Sequence, residues 1–333
     1  MDHEPLIIRE DEVENYRAQG YKAFDPHVHT SVSEDTIPAE GMLAERMYER
    51  MLAEGFDYVT FTDHDTADAY TAFEQIPAQL VRGAELSIRP KRIAGYTRTH
   101  TLHVNVYDFS DEQLHVLIAL AQDGDLPALS AYLRAEDIPA VYNHPTWAET
   151  GEIPQWESLI EIVKYFDVIE AYNHSQTPMN NRVACLLTKA FGKGAVSGSD
   201  THIAQPMRAT LARGETFREF WENIRSGACL LVEKHLTHES LALELKARLR
   251  QVSDADGKLL RTRLLKLAPK GGITGNVLSL LISVIFSDAL LKRKLNGRLL
   301  KMLYAGGGRY YANRVFLTRQ EKAALGVHSL LFD

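Results

Sequence analysis

The chain has 333 residues, 45% of them apolar and 24% charged, with two cysteines and a formal net charge of −7. This is ordinary globular chemistry, enough for one large α/β domain or for a domain with an appendage. It excludes a disulfide framework, and the longest apolar run, Val277 to Phe286, is too short to cross a bilayer.

The first residues are acidic and lack a basic segment leading into an apolar one, so no secretory leader is expected and a reducing cytoplasm is. Charge divides unevenly along the chain. From Ser240 onward there are 17 Lys/Arg against 6 Asp/Glu, and before it 20 against 38. An acidic first part with a basic tail implies two regions with different tasks. The tail is expected either to dock on the acidic part or on another subunit, or to recruit a polyanion such as nucleic acid.

Taken in order, residues 1–20 read as a lead-in whose only apolar run is Leu6-Ile7-Ile8. A strand at Tyr21–Asp25 is followed by a helical pattern from Pro38 to Glu54, stopped by Gly55. Phe56–Thr62 is β-rich and Thr66–Gln75 helical. Leu80–Ile88 and Thr101–Phe109 read as strands separated by a Lys/Arg/Gly loop. Helices follow at Asp111–Ala121 and Leu126–Ala135, then a strand at Ile138–Tyr142. A helix at Trp156–Tyr165, a strand at Asp167–Tyr172 and a helix at Met179–Phe191 continue the alternation. Gly194–Ser197 is a strand, Ala209–Ala212 a short one, and Phe217–Ser226 a helix. Repeated β–α alternation over about 200 residues implies a parallel sheet closed as a barrel. After about Leu236 Leu, Lys and Arg dominate in a helical pattern. The expected division is therefore a lead-in (1–20), a barrel (21–235) and a basic helical appendage (236–333).

Asp25-Pro26-His27-Val28-His29-Thr30 ends the first strand, and alternation puts Asp25, His27 and His29 on one face. Two imidazoles so placed grip a single cation. Further histidines stand at or within strand ends: His64 after Thr62-Asp63, His103 in Leu102-His103-Val104, His144 after Asn143, and His202 after Asp200-Thr201. Glu85 and Asp200 add carboxylates. Each alone has a plain structural reading as a loop or core residue. Gathered on one rim they call for cations, since burying a carboxylate costs several kcal/mol unless it is paired or metal-bound. Nitrogen and oxygen ligands without cysteine suit Zn, Mn or Fe.

In order, Asp-Pro-His-Val-His-Thr, Thr-Asp-His-Asp-Thr, Gly-Ala-Glu-Leu-Ser, Asn-His-Pro and Gly-Ser-Asp-Thr-His resemble the motifs of the PHP (polymerase and histidinol phosphatase) superfamily over about residues 21–230. The resemblance implies an α/β fold, a distorted seven-stranded TIM-like β/α barrel that hydrolyses phosphate esters with two or three divalent metals. It implies one metal at His27, His29, Glu85 and Asp200, with Glu85 bridging to a second at His103 and His144. A third would lie at His64 and His202 with a residue after the first motif. The family usually carries Asp or His there; counting favours Glu34, with Asp35 the alternative. Asn173, His174 and Arg208 are candidates for binding a small phosphorylated substrate, Arg208 by taking phosphoryl charge. Asp63 and Asp65 are expected to accept hydrogen bonds or cap helices, and His100 and His115 to stay outside the ligand set. The His103-Val104-Asn105-Val106 stretch is similar to a branch holding carbamate-ester hydrolases, which keeps carbamate, ester or amide cleavage as a rival. A non-enzymatic scaffold with a nucleic-acid- or partner-binding tail is the other.

Overall fold

The computed structural model of the chain describes residues 6–36, 39–91, 100–147, 152, 154 and 156–235. The expected appendage, and the nucleic-acid binding assigned to it, lie outside the described residues.

The structure is a mixed α/β fold whose larger sheet, of six strands, curls into a half-barrel. Its strands lie in chain order: β3 (Val59–Phe61), β4 (Leu80–Ile88), β5 (Leu102–Tyr107), β6 (Ala140–Tyr142), β7 (Val168–Asn173) and β8 (Gly194–Gly198). A second sheet joins β1 (Leu6–Ile8), β10 (Cys229–Val232), β9 (Thr210–Ala212) and β2 (Lys22–Phe24) in that order. Leu6-Ile7-Ile8 thus pairs in parallel with Leu230-Leu231-Val232, from the far end of the described chain.

Helices begin and end where local chemistry dictates. In α3 (Asp111–Asp123) the Ser110 hydroxyl accepts from the Gln113 N–H while the Gln113 side chain accepts from the Ser110 N–H. Gly124, at φ +66°, closes that helix in the left-handed conformation that glycine adopts without strain. Asp125 caps α4 (Leu126–Ala135), Thr177 caps α6 (Pro178–Ala190), and Thr216 forms a second reciprocal cap with Glu219 at α7 (Phe217–Arg225). α1 (Val13–Arg17), α2 (Ala44–Ala53) and α5 (Trp156–Val163) are the other α-helices among the described residues. The predicted helix from Pro38 breaks at Leu43, whose extended backbone separates a 3₁₀ turn (Glu40–Met42) from α2. The predicted helix at Thr66–Gln75 shortens to a 3₁₀ turn at Asp68–Ala72. Among the described residues no helix is long and apolar enough to cross a membrane.

The expectation of an all-parallel sheet needs correction. β5 runs antiparallel to both β4 and β6, whereas the β3–β4, β6–β7 and β7–β8 pairs are parallel. A parallel connection needs a crossover, usually helical. β5 instead lies directly beside its predecessor in the opposite direction. The reversal moves His103 to the N-terminal end of β5, which shares a rim with the C-terminal ends of β4 and β6.

Residues 23–29 run between the two edges of the half-barrel. On one side the Thr62 N–H donates to the Val28 carbonyl at 2.7 Å and the Asp57 N–H to that of Ala23 at 3.0 Å. On the other the His29 N–H donates to Thr201, the Asp200 N–H donates to His27, and Val28 bridges Thr201 in parallel. The first motif is thereby bound to the segment after β3 and to the segment after β8.

Candidate metal centre

The half-barrel rim brings together side chains from segments separated by up to 175 positions. After β2 come His27 and His29, both fully buried; after β3, His64; within β4, Glu85; on β5, His103; after β6, His144; and after β8, Asp200 and His202.

Glu85 stands at the centre, and its two oxygens face different partners. Oε2 lies 3.1 Å from His27 Nε2 and 3.2 Å from His29 Nε2, while Oε1 lies 3.2 Å from His103 Nδ1 and 3.4 Å from His144 Nε2. Asp200 Oδ1 closes the first group at 3.4 Å from both His27 Nε2 and His29 Nε2. A third group forms at the open edge, where Asp35 Oδ2 lies 2.6 Å from His202 Nε2 and 3.5 Å from His64 Nε2. The Asp35 side chain is 41% exposed, so this edge of the cluster faces solvent.

Residue by residue, the structure joins eight of the nine expected ligands: His27, His29, His64, Glu85, His103, His144, Asp200 and His202 each belong to a group of ligand atoms within 4.8 Å of one another. Glu34 does not. It is exposed and in none of these groups, and its neighbour Asp35 occupies the place. Of the three substrate candidates, Arg208 turns away to pair with Glu14 on α1. His174 is buried with both ring nitrogens engaged, by Ser197 Oγ at 3.0 Å and Met207 Sδ at 2.8 Å, so it presents no free nitrogen to a substrate. Burial pushes its pKa down to about 3, leaving a neutral ring. Asn173 does reach the cluster, donating from Nδ2 to Asp200 Oδ2 at 3.1 Å. Asp63 accepts from the N–H and hydroxyl of Thr30, and Asp65 from the Ser87 N–H, as supporting acceptors.

Sequence reasoning passed over several members of this shell. Glu170, 1% exposed, meets His27 Nδ1; Asn143 donates to Glu85 Oε1 at 2.8 Å; Trp147 packs its ring 4.5 Å from that of His103. Asn143 was legible in Asn-His-Pro as a companion of His144. Glu170 sits in an apolar strand, where a carboxylate gives the signal of any buried ion pair.

The donor set fits divalent cations. Two ligands sharing an ion at bonds of about 2.0–2.2 Å stand roughly 3.0–3.6 Å apart in tetrahedral or octahedral geometry, and the separations around Glu85 and Asp200 fall there, whereas Asp35 and His202 at 2.6 Å are in direct hydrogen-bond contact. His29 Nε2 is buried without a hydrogen-bond partner of good geometry and faces the gap between Glu85 Oε2 and Asp200 Oδ1. The electrostatics agree. Burial opposes a charge on His29, yet the adjacent carboxylates of Asp200 and Glu85 raise its pKa to about 10. Burial likewise opposes charge on Glu85 and Asp200, and the surrounding histidines hold both below the usual carboxylate range. The carboxylates thus create a field that favours positive charge at the centre of the cluster.

Neither a comparison with protein families nor one with curated proteins gives a match. Among solved structures the chain is similar to PsfC from Pseudomonas syringae PB-5123, at a TM-score of 0.50 and 18% identity, covering 71% of this chain and 100% of that one. The likeness is one of fold. Weaker similarities run to a protein of Bifidobacterium adolescentis described provisionally as a metal-dependent phosphoesterase (TM-score 0.39, 17% identity, 61% of this chain and 96% of that one) and to an amidohydrolase from Chromobacterium violaceum solved with sulfate and no metal (0.41, 15%, 63% and 98%).

Proposed function

We propose that the chain is a metal-dependent phosphoesterase of the PHP type, with residues 23–29 as the seventh stave of a distorted barrel. The observation that carries this reading is the division of Glu85 between two histidine pairs, the arrangement expected of a carboxylate bridging two cations. His27, His29, Glu85 and Asp200 would hold the first cation; Glu85, His103 and His144 the second; Asp35, His64 and His202 the third. Bound there, divalent cations would supply Lewis acidity toward an ester oxygen and a water whose pKa is lowered toward about 7.

The protein's own contribution is rigidity and charge. Asn143 holds Glu85 from the side of Oε1, and Asn105 and Tyr107 donate to the Pro26 carbonyl at 2.9 and 2.6 Å, fixing the segment that presents His27. Asp63 fixes Thr30 just beyond His29. Trp147, packed on His103 and His144, covers that flank of the site. The carboxylates of Glu85, Asp200, Asp35 and Glu170 set against three divalent cations leave a net charge of about +2, which complements a phosphate monoester dianion better than a neutral carbonyl ester.

A panel of phosphomonoesters, phosphodiesters, aryl esters and amides, run with Zn, Mn and Fe in turn, tests the reading. Turnover of a phosphate ester that chelator abolishes and metal restores is expected. Turnover of only carbonyl substrates overturns the phosphoesterase assignment, and the absence of any turnover supports the scaffold alternative.

A further inference from the structure

Glu170 takes no part in the three proposed cation groups, yet it is fully enclosed and both of its oxygens are engaged. Oε1 lies 3.0 Å from His27 Nδ1, while Oε2 accepts from the His144 backbone N–H at 2.9 Å and from Asn173 Nδ2 at 2.9 Å. The donor directions are settled by the surroundings. A backbone N–H only donates, and Asn173 has its Oδ1 engaged by the Ser175 N–H, which leaves Nδ2 to face Glu170.

The local backbone is built to make these contacts. β7 carries a bulge: Glu170 pairs with Val196 and Tyr172 with Ser197, so Ala171 is the extra residue. In a regular strand residues i and i+2 share a face. The inserted residue brings Glu170 and Asn173, three apart, to the same side, where both point at the cluster. Opposite them stands Gly198. A Cβ there would meet Glu170 Oε1 at 2.4 Å and the His27 Cβ at 2.8 Å, so only glycine leaves room for the carboxylate to reach the imidazole.

We infer that Glu170 is a positioning residue which fixes the His27 tautomer, accepting Nδ1–H so that the Nε2 lone pair is presented to the cation at Glu85 and Asp200. This rests on the reading that His27 ligates through Nε2. Glu170 also reaches His144 through its backbone and Asp200 through Asn173, whose Nδ2 contacts both carboxylates. One buried carboxylate therefore aligns ligands of two neighbouring cations. Glutamine cannot replace it, because three donors converge on its two oxygens. With its amide nitrogen toward His27 it would favour the proton on Nε2, and with that nitrogen turned the other way it would face two donors.

The test uses full-length protein and Zn. In ¹⁵N-labelled, Zn-loaded wild type, His27 is expected to carry its proton on Nδ1, whereas a proton on Nε2 overturns the inference without any variant being made. Glu170→Gln should weaken the tightest Zn site about 10–100-fold in competition with a chromophoric chelator. It should retain the wild-type number of Zn ions at saturation and show a changed His27 ¹⁵N signature. Unchanged affinity and signature overturn the role of Glu170 alone. Loss of a whole Zn equivalent at saturation also overturns it, by making Glu170 a ligand. Wild type that binds no Zn at all overturns the metal reading together with it.

Discussion

Asp35 and His202 stand 167 positions apart in sequence and meet at 2.6 Å between Oδ2 and Nε2, closing the solvent-facing group of the cluster. Burial opposes the charge on Asp35, but hydrogen bonds from His202 and His64 hold its pKa well below the usual carboxylate range. Asp35→Ala should therefore remove one bound cation and leave the remainder in place, whereas Glu34→Ala should change neither cation number nor activity. Metal content per chain after dialysis against buffered free Zn checks both. A loss on substituting Glu34 instead would reverse the assignment.

Glu85 serves two groups, so Glu85→Gln should cost two cations together where His64→Ala costs one. Glutamine keeps the shape and the Asn143 contact is on the side of Oε1, so folding is expected to survive. The same metal measurement distinguishes a bridging carboxylate from one that belongs to a single site.

The pH dependence of folding should carry the mark of His174. Its folded pKa, near 3, lies below the unfolded value of about 6.5. Between these values the unfolded chain binds a proton that the folded chain refuses. The stabilisation is therefore complete above about pH 6.5 and is lost as pH falls toward 3, at roughly 1.4 kcal/mol per pH unit. His100, pushed by burial down to about 4, adds the same sign over a narrower window. Urea unfolding at pH 7, 6 and 5 should show wild type losing stability more steeply than His174→Gln by about one proton. Parallel curves would contradict a neutral His174.

Tyr70 is a stability prediction away from the rim. Its buried hydroxyl accepts from the Phe61 N–H at 2.9 Å and the Gly83 N–H at 2.7 Å, and lies 2.9 Å from the Phe61 and Val81 carbonyls. It ties β3 to β4 where Glu85 emerges. Tyr70→Phe strands these backbone groups and should cost about 2–3 kcal/mol, a fall in Tm of roughly 5–10 °C. A change under 1 °C would show the hydroxyl to be dispensable.

The side chains that gather on the rim could be read from sequence because each motif holds its histidine or acid at a strand end, and because His27 and His29 alternate onto one face. What could not be read has physical causes. Glu34 and Asp35 are adjacent carboxylates in a loop, and only the course of the backbone decides which turns inward. Arg208 is a cation six residues after His202, but Glu14, nearly two hundred residues earlier, captures it. Asn173 shares a side with Glu170 because of a bulge between them, which breaks the alternation that strand reading assumes. The reversal of β5 overturned the parallel sheet expected from β–α alternation, and the pairing of β1 with β10 joins chain segments whose local patterns carry no record of each other.

The central claim is that these imidazoles and carboxylates share cations, and metal analysis of purified protein at two pH values tests it most directly. Histidine must be neutral to ligate, so two or three equivalents of Zn, Mn or Fe per chain at pH 7.5, falling away by pH 4, is the predicted result. Fewer than one equivalent at saturating metal and pH 7.5, or occupancy unchanged at pH 4, would contradict it.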